Sequence, residues 1–210
     1  MKTQFETLLK NLDLELTDKQ FNQFETYYKY LTEWNEKINL TAITDYDGVF
    51  MKHFYDSLTL TKLVTFNNQS LLDVGSGAGF PSIPLKIMFP ELKVTIIDAL
   101  NKRINFLKVL TEALDIDVTL IHGRAEEQND KESYDLVTAR AVANLNVLSE
   151  LCLPFAKIKG YFLVMKGSKG EEELENAQSA IELLGGTHLQ TISFEIENEM
   201  RTLLKIEKVR

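Results

Sequence analysis

Residues 71–84 read LLDVGSGAGFPSIP, and this stretch decides the fold. Residues 71–74 have the short apolar character of a buried strand, and glycines at 75, 77 and 79 then let the chain turn tightly into a helix. A strand that enters a helix through such a loop opens a doubly wound α/β sheet, whose ligands lie at the carboxyl ends of the strands. Working outward, the same rhythm repeats. Strands are expected over 71–74, 94–98, 118–121, 134–138 and 161–165, with helices over 81–88, 102–114, 145–155 and 172–184. That alternation specifies parallel strands joined by right-handed crossovers. Segments 189–196 and 200–208 break the rhythm, because only a few polar residues separate them; they should pair as an antiparallel hairpin at the sheet edge.

Upstream of the polar break NNQS (67–70) the texture differs. Phe21, Phe24, Tyr28, Leu31, Trp34 and Ile38 recur at intervals of three and four, one apolar stripe on a helix, and Thr17 with Gln20 forms a capping box at its start. Shorter stripes precede it (Phe5, Leu8, Leu9, Leu12) and follow it (Phe50, Phe54, Leu58), the latter after a turn-like DYDG at 45–48. The chain therefore divides into a small helical extension, 1–66, and an α/β domain, 67–210. With 210 residues, 44% of them apolar and 26% charged, it can bury one substantial core, and its composition excludes collagen-like, disulfide-rich and disordered classes. The opening MKTQFETLLKNLDLEL mixes charges among its leucines, unlike a signal peptide, and no apolar run nears the roughly 20 residues of a membrane span, so a cytoplasmic location is expected. Cys152 sits on an apolar helix face as a core residue, and the scattered His53, His122 and His188 lack metal-ligand spacing.

The glycine loop discriminates among cofactors. Phe80 stands where a G-x-G-x-x-G fingerprint needs its third glycine, and Pro81 and Pro84 remove backbone donors where a pyrophosphate would be held. No G-x-x-x-x-G-K-[ST] occurs, so a triphosphate P-loop is excluded. A phosphate-free nucleoside, S-adenosylmethionine, loses least by these changes, and its sulfonium tolerates the carboxylate of Asp73. Asp98 ends the second strand 19 residues after Gly79, the place of an acid that meets ribose hydroxyls, a reading the glycine loop upstream favours over a cap on the next helix. In HGRAEE (122–127), Ala125 and Glu126 lie near the expected adenine position, with a plain solvated charge as the other reading of Glu126. Phe80, the two prolines and the terminal hairpin count against a nicotinamide oxidoreductase. The intact set Asp73, Gly75, Gly77, Gly79, Asp98 and Arg140 counts against a noncatalytic RNA-binding module.

These motifs, together with DALNKRINFL (98–107), YDLVTARAVANL (134–145), WNEKINLTAI (34–43) and HFYDSL (53–58), resemble the RsmG (GidB) family of bacterial 16S ribosomal RNA methyltransferases over residues 34–167. The resemblance implies a class I S-adenosylmethionine-dependent methyltransferase fold, Rossmann-like, with an N-terminal helical extension. It also implies methylation of guanine N7 in the 530 loop of 16S rRNA, within the 30S subunit or its precursor. By motif, the cofactor contacts would be Gly75, Phe80, Ala125, Glu126 and Arg140, and Arg140 is the implied catalytic residue. Some relatives carry a basic, proline-containing tail after the last strand that is not seen before Arg210.

An N7 acceptor suits what the sequence lacks. Its lone pair is free, so transfer needs alignment and no general base, and proximity alone can supply up to about 7–11 kcal/mol. ARAVAN replaces the [DNS]-P-P-[YFW] motif of amino methylases, and Cys152 is misplaced as a nucleophile for C5 transfer. Arg140 ends the fourth strand at the crevice, where it serves donor and acceptor or makes a structural ion pair. His53, Asp56 and Ser57 name a hydrolytic triad, but no G-x-S-x-G elbow accompanies them; they read as a polar seam between extension and core, or, for His53 with Lys52, as RNA contacts. The net charge of −8 requires a local basic rim, for which Lys37, Lys102, Arg103, Arg124, Lys166 and Lys169 are the candidates.

Overall fold

The computed structural model describes residues 2–140 and 143–210. Its helical segment runs α1 (Lys2–Lys10), α2 (Asp18–Ile38), α3 (Tyr46–Val49), a π-turn (Phe50–Tyr55), α4 (Asp56–Leu58) and a 3-10 turn (Thr59–Lys62). The alternating part follows as β1 (Ser70–Val74), α5 (Ser82–Met88), β2 (Lys93–Asp98), α6 (Asn101–Leu114), β3 (Val118–His122), β4 (Tyr134–Arg140) and α7 (Leu145–Cys152). It ends with β5 (Ala156–Lys166), α8 (Gly170–Leu183), β6 (Gly186–Ile196) and β7 (Glu199–Lys208). The described residues form one sheet in the order β3-β2-β1-β4-β5-β7-β6, parallel except for β7, which is antiparallel to both its neighbours.

Successive strand residues feed opposite faces, as a pleated strand buried on both sides demands. Leu71, Leu136 and Leu163 enter the core shared with α1, α2, α5 and α6; Leu72, Val137 and Phe162 enter the one closed by α7 and α8. The first core also takes Phe5, Phe24, Leu31, Phe54 and Leu58, so the helical segment packs on the sheet through the same apolar mass as α5 and α6.

Several expectations need correction. The terminal hairpin needs none: it forms at the sheet edge as expected, closed by a two-residue turn at Glu197 and Asn198 with φ of 48° and 64°, with β7 paired to β5 and β6 outermost. β5 begins at Ala156, five residues before the expected start, and a register irregularity opposite Tyr134–Leu136 absorbs the extra length. The helix expected over 145–155 stops at Cys152 and tightens into a 3-10 turn containing Pro154, whose missing N–H cannot continue an α-helix. DYDG starts a helix: the Asp45 carboxylate accepts from Gly48 N–H at 2.7 Å as an N-cap.

The capping box of α2 is formed in both directions by Thr17 and Gln20. On this helix the buried tyrosine is Tyr27, while Tyr28 stays half-exposed and donates to Thr44 O. Tyr27 ties α2 to the glycine loop, because its hydroxyl donates to Ala78 O at 2.6 Å and its ring stacks on Phe80 at 5.4 Å. Gln20 and Gln23 add donors to the last carbonyls of α5 and α6. Tyr27→Phe leaves the Ala78 carbonyl without that donor, so urea unfolding should show a loss of about 1–3 kcal/mol. A loss below about 0.5 kcal/mol would mean that this bond does not anchor the extension.

Candidate active site

The loop from β1 to α5 takes left-handed backbone at all three glycines, with φ of 71°, 62° and 97° at Gly75, Gly77 and Gly79. Gly79 has the least room: a Cβ there would stand 2.7 Å from both the Tyr27 hydroxyl and Ile83 Cγ1. Gly77 is the opposite, since an added Cβ would meet nothing within 4 Å among the described residues. The loop is thus pinned on one side by α2 and bare on the other.

Two cavities flank it. The first, about 200 Å³, lies at the carboxyl ends of β1, β2 and β3, and Gly75, Ala99, Gly123, Ala125 and Glu126 help to line it. Glu126 is exposed there and pairs with Arg124 at 3.7 Å. Asp98 lies beneath the loop, accepting from Leu100 N–H at 2.9 Å and Gly77 N–H at 3.2 Å and facing Arg103 at 3.5 Å. The bond to Leu100 N–H closes a turn ahead of α6, whose N-cap is Leu100 and has no side-chain cap, so Asp98 holds the loop and does not cap the helix. Asp73 is fully buried; one oxygen accepts from Ser82 N–H at 3.2 Å, while Oδ1 finds no partner among the described residues. Burial pushes its carboxyl up to about 7.

The second cavity, about 490 Å³, opens where β4, β5 and β7 meet the helical segment. Ile43, Lys52, His53, Asp56, Arg140, Met165, Lys166, Glu173, Glu199 and Arg201 help to form its walls. Three of these come from the π-turn and its end, a widened helical turn of the kind that recurs at functional sites. Asp56 is the hub. It takes Arg140 Nη1 at 3.3 Å on one oxygen and Arg201 Nε at 3.2 Å on the other. Burial pushes the Asp56 carboxyl above its usual range, against the opposing pull of the two arginines.

Arg140 has a second hold, donating from Nη2 to His53 Nδ1 at 3.1 Å. A guanidinium only donates, so Nδ1 accepts and Nε2 carries the ring proton, which it gives to Thr41 Oγ1 at 2.7 Å. Burial first, and then the Arg140 charge, lower the His53 pKa to about 3, which fixes the neutral ring. Phe80 is the floor of this arrangement: His53 stacks on it at 4.5 Å and the Arg140 guanidinium lies 4.8 Å over it, a cation–π contact.

The structure therefore divides the expected residues. Gly75, Ala125 and Glu126 meet at the first cavity; Asp73, Gly77, Gly79 and Asp98 build the loop above it; Phe80 and Arg140 form the wall toward the second. The seam reading of His53 and Asp56 is realised, while the Ser57 hydroxyl bonds only to His53 O, within its own helix. Of the expected basic rim, Lys166 faces the second cavity and pairs with Glu173 at 2.8 Å, Arg103 is turned to Asp98, and Lys37, Lys102 and Lys169 are exposed on separate elements. Ala141 and Val142 of ARAVAN lie outside the described residues. Sequence reasoning missed Arg201 and Thr41, which reach the site from a distant strand and an irregular segment with no motif around either.

The sheet order and a glycine loop at its carboxyl edge define a class I methyltransferase. Solved structures agree on the fold: TYW2 of M. jannaschii, crystallised with AdoMet, superposes with a TM-score of 0.64 at 16% identity over 80% of each chain. The ribosomal protein L11 methylase of Lactobacillus delbrueckii subsp. bulgaricus gives 0.59 at 15% identity, over 76% of this chain and 80% of the other. The sequence model described as rRNA small subunit methyltransferase G (GidB) matches residues 20–203, and the chain belongs to that family. Two relatives carry the name ribosomal RNA small subunit methyltransferase G. That of Staphylococcus carnosus (strain TM300) is 55% identical over 209 residues, 95% of this chain and 87% of its own. That of Lactococcus lactis subsp. cremoris (strain MG1363) is 53% identical over 213 residues, covering 98% and 90%.

The raised Asp73 carboxyl has a consequence for stability. Between about pH 4, where the unfolded carboxyl ionises, and about pH 7, where the folded one does, the folded chain holds the extra proton. Stability therefore falls as pH rises through that window and levels off above it. Urea titrations of wild type and Asp73→Asn should show wild type losing ground to the variant from pH 4 to pH 7. Parallel curves would place the Asp73 titration outside that window.

Proposed function

We propose that this protein methylates N7 of a guanine in the 530 loop of 16S rRNA, within the 30S subunit or its precursor, with S-adenosylmethionine as donor. The named relatives and the family support the ribosomal RNA substrate. The loop fits the donor: Asp73 Oδ1 and Ser76 Oγ are buried acceptors without partners among the described residues, and Gly77 presents bare backbone. Gly75, Ala125 and Glu126 would hold the nucleoside at the first cavity, with Asp73, Gly77, Gly79 and Asp98 shaping the loop around it and Phe80 with Arg140 at the wall. When bound, the donor supplies an electrophilic methyl on a sulfonium.

One observation carries the N7 assignment. Every acid or imidazole known to line the acceptor-side cavity is already committed. Asp56 holds two arginines, Glu173 holds Lys166 and Leu145 N–H, Glu199 holds Lys52 and Arg201, and His53 accepts from Arg140. A base-requiring acceptor, such as an exocyclic amine, would find no free proton acceptor among the inner groups Asp56, His53 and Glu173; Glu199 is the half-exposed member at the mouth. A ring nitrogen with its own lone pair requires none. The residues instead orient: Arg140 is fixed on Asp56, His53 and Phe80, and the helical extension, residues 1–66, serves as the wall that supplies two of those three. Bidentate contact of an arginine to guanine O6 and N7 would block the acceptor, so Arg140 takes O6, a phosphate or the donor carboxylate.

No helix among the described residues is long and apolar enough to cross a membrane, and this reading puts the protein in the cytoplasm, where ribosomal RNA is. The test is incubation with methyl-labelled S-adenosylmethionine and 30S subunits from a strain lacking this gene, followed by N7-specific strand cleavage. Label should map to one guanine N7 in the 530 loop. Label on an exocyclic nitrogen or a ring carbon would overturn the base-free reading.

A further inference from the structure

Lys52 and Arg201 converge on one anion at the mouth of the acceptor-side cavity. Lys52 Nζ lies 2.7 Å from Glu199 Oε1, and Arg201 Nη2 lies 3.0 Å from Glu199 Oε2. Glu197, across the hairpin turn, stands 3.7 Å from Lys52. The two carboxylates are the exposed members of the group, at 46% and 49%, against 25% for Lys52 and 17% for Arg201. Two cations set into a wall and two acids at the hairpin make an unequal pair: Lys52 and Arg201 are the deeper members, Glu199 stands at the cavity rim, and Glu197 lies beside it.

The surroundings differ from the chain as a whole. The chain carries 31 acidic and 23 basic residues, yet around this cavity four basic side chains meet four carboxylates with Glu197 included, so the acidic excess of the whole is not found here. Arg201 is held independently through Nε on Asp56, so its Nη2 can change partner while the side chain stays in place. Exposed ion pairs are worth only about 0–1 kcal/mol, so replacing a carboxylate there costs little. A phosphodiester presents the same two-oxygen anionic face as Glu199 and releases its counterions on binding.

We infer that Lys52 and Arg201 form a subsite for one backbone phosphate of the RNA substrate, occupied by Glu199 and shielded by Glu197 until RNA displaces them. The inference rests on the RNA-methylating reading above and adds to it a contact and a competitor. Because the acids are built into the hairpin turn, any weak polyanion must first displace them, which disfavours phosphates that the rest of the substrate does not hold in place.

The experiment measures affinity of the full chain for 30S subunits from the strain lacking this gene, over a series of KCl concentrations. Lys52→Met should make the plot of log affinity against log salt shallower by about 0.7–1, the loss of one phosphate contact. Glu197→Gln with Glu199→Gln should act in the opposite direction, tightening binding about two- to fivefold. In both, calorimetric affinity for S-adenosylhomocysteine should stay at the wild-type value. Methylation of 30S subunits by wild type, with an unchanged slope in Lys52→Met and unchanged affinity in the double variant, overturns the subsite and leaves the activity standing. Loss of S-adenosylhomocysteine binding in Lys52→Met assigns the cation to the donor side and also overturns it. Wild type without affinity for 30S subunits overturns both readings.

Discussion

A carboxylate shut away from water must find positive partners or give up its charge, since isolated ion burial costs several kcal/mol even after relaxation. Asp56 is such a group. Its partners, Arg140 at the end of β4 and Arg201 at the start of β7, come from strands separated by β5 and are brought to one point by the sheet. The carboxylate itself arrives from the helical segment. Three parts of the chain distant in sequence are therefore fixed to one another where the strands end, and among the described residues the Asp56 carboxylate is satisfied by these two arginines. The aromatic stack reinforces the same joint, because Phe80 on the glycine loop lies between Tyr27 and His53 of the helical segment.

That joint separates two environments with different electrostatic logic. On its acceptor side the inner charges are closed pairs, which leaves a shaped, polar wall. On its donor side one buried oxygen of Asp73 has no partner among the described residues, an arrangement that costs stability and persists where a ligand can complete it. Asp98, only a loop away, is already served by two backbone donors and Arg103. The two acids are thus not equivalent: the first has an acceptor to offer, and the second spends its acceptors on holding the glycine loop in shape.

The alternating pattern and the loop 71–84 were legible in the sequence because each depends on neighbours within a few residues: apolar runs, glycine at positive φ, proline at a helix start. The crossing order of β6 and β7 was not, since a hairpin looks the same whichever strand faces the sheet. The one signal was burial: Thr202, Leu203, Leu204 and Ile206 are all buried, whereas β6 is largely exposed. For the site, the residues on the loop and at strand ends could be named from motif position. Their partners could not. Arg201 is separated from Asp56 by 145 residues and Arg140 by 84, and no local pattern distinguishes either arginine from a surface charge. The four-residue spacing of Phe50, Phe54 and Leu58 suits an α-helical stripe, yet it is wider than the 3.6-residue period and the chain meets it with a π-turn. That widened turn is what presents Lys52, His53 and Asp56 to the same cavity.

An acidic protein that acts on RNA must make its favourable field local. At physiological ionic strength charges on an open surface are screened over about 8 Å, so glutamates on the outer face of α8 contribute little at the cavity mouth. What counts is the charge within that distance, and at the mouth Lys52 and Arg201 are set deeper than Glu197 and Glu199. A net negative remainder of the surface then has a use. It weakens adhesion to phosphate backbone in general, so residence depends on a substrate whose shape carries one phosphate to the cavity mouth and one base into it. Specificity in such an arrangement comes from the cost of every incorrect approach as much as from contacts with the correct one.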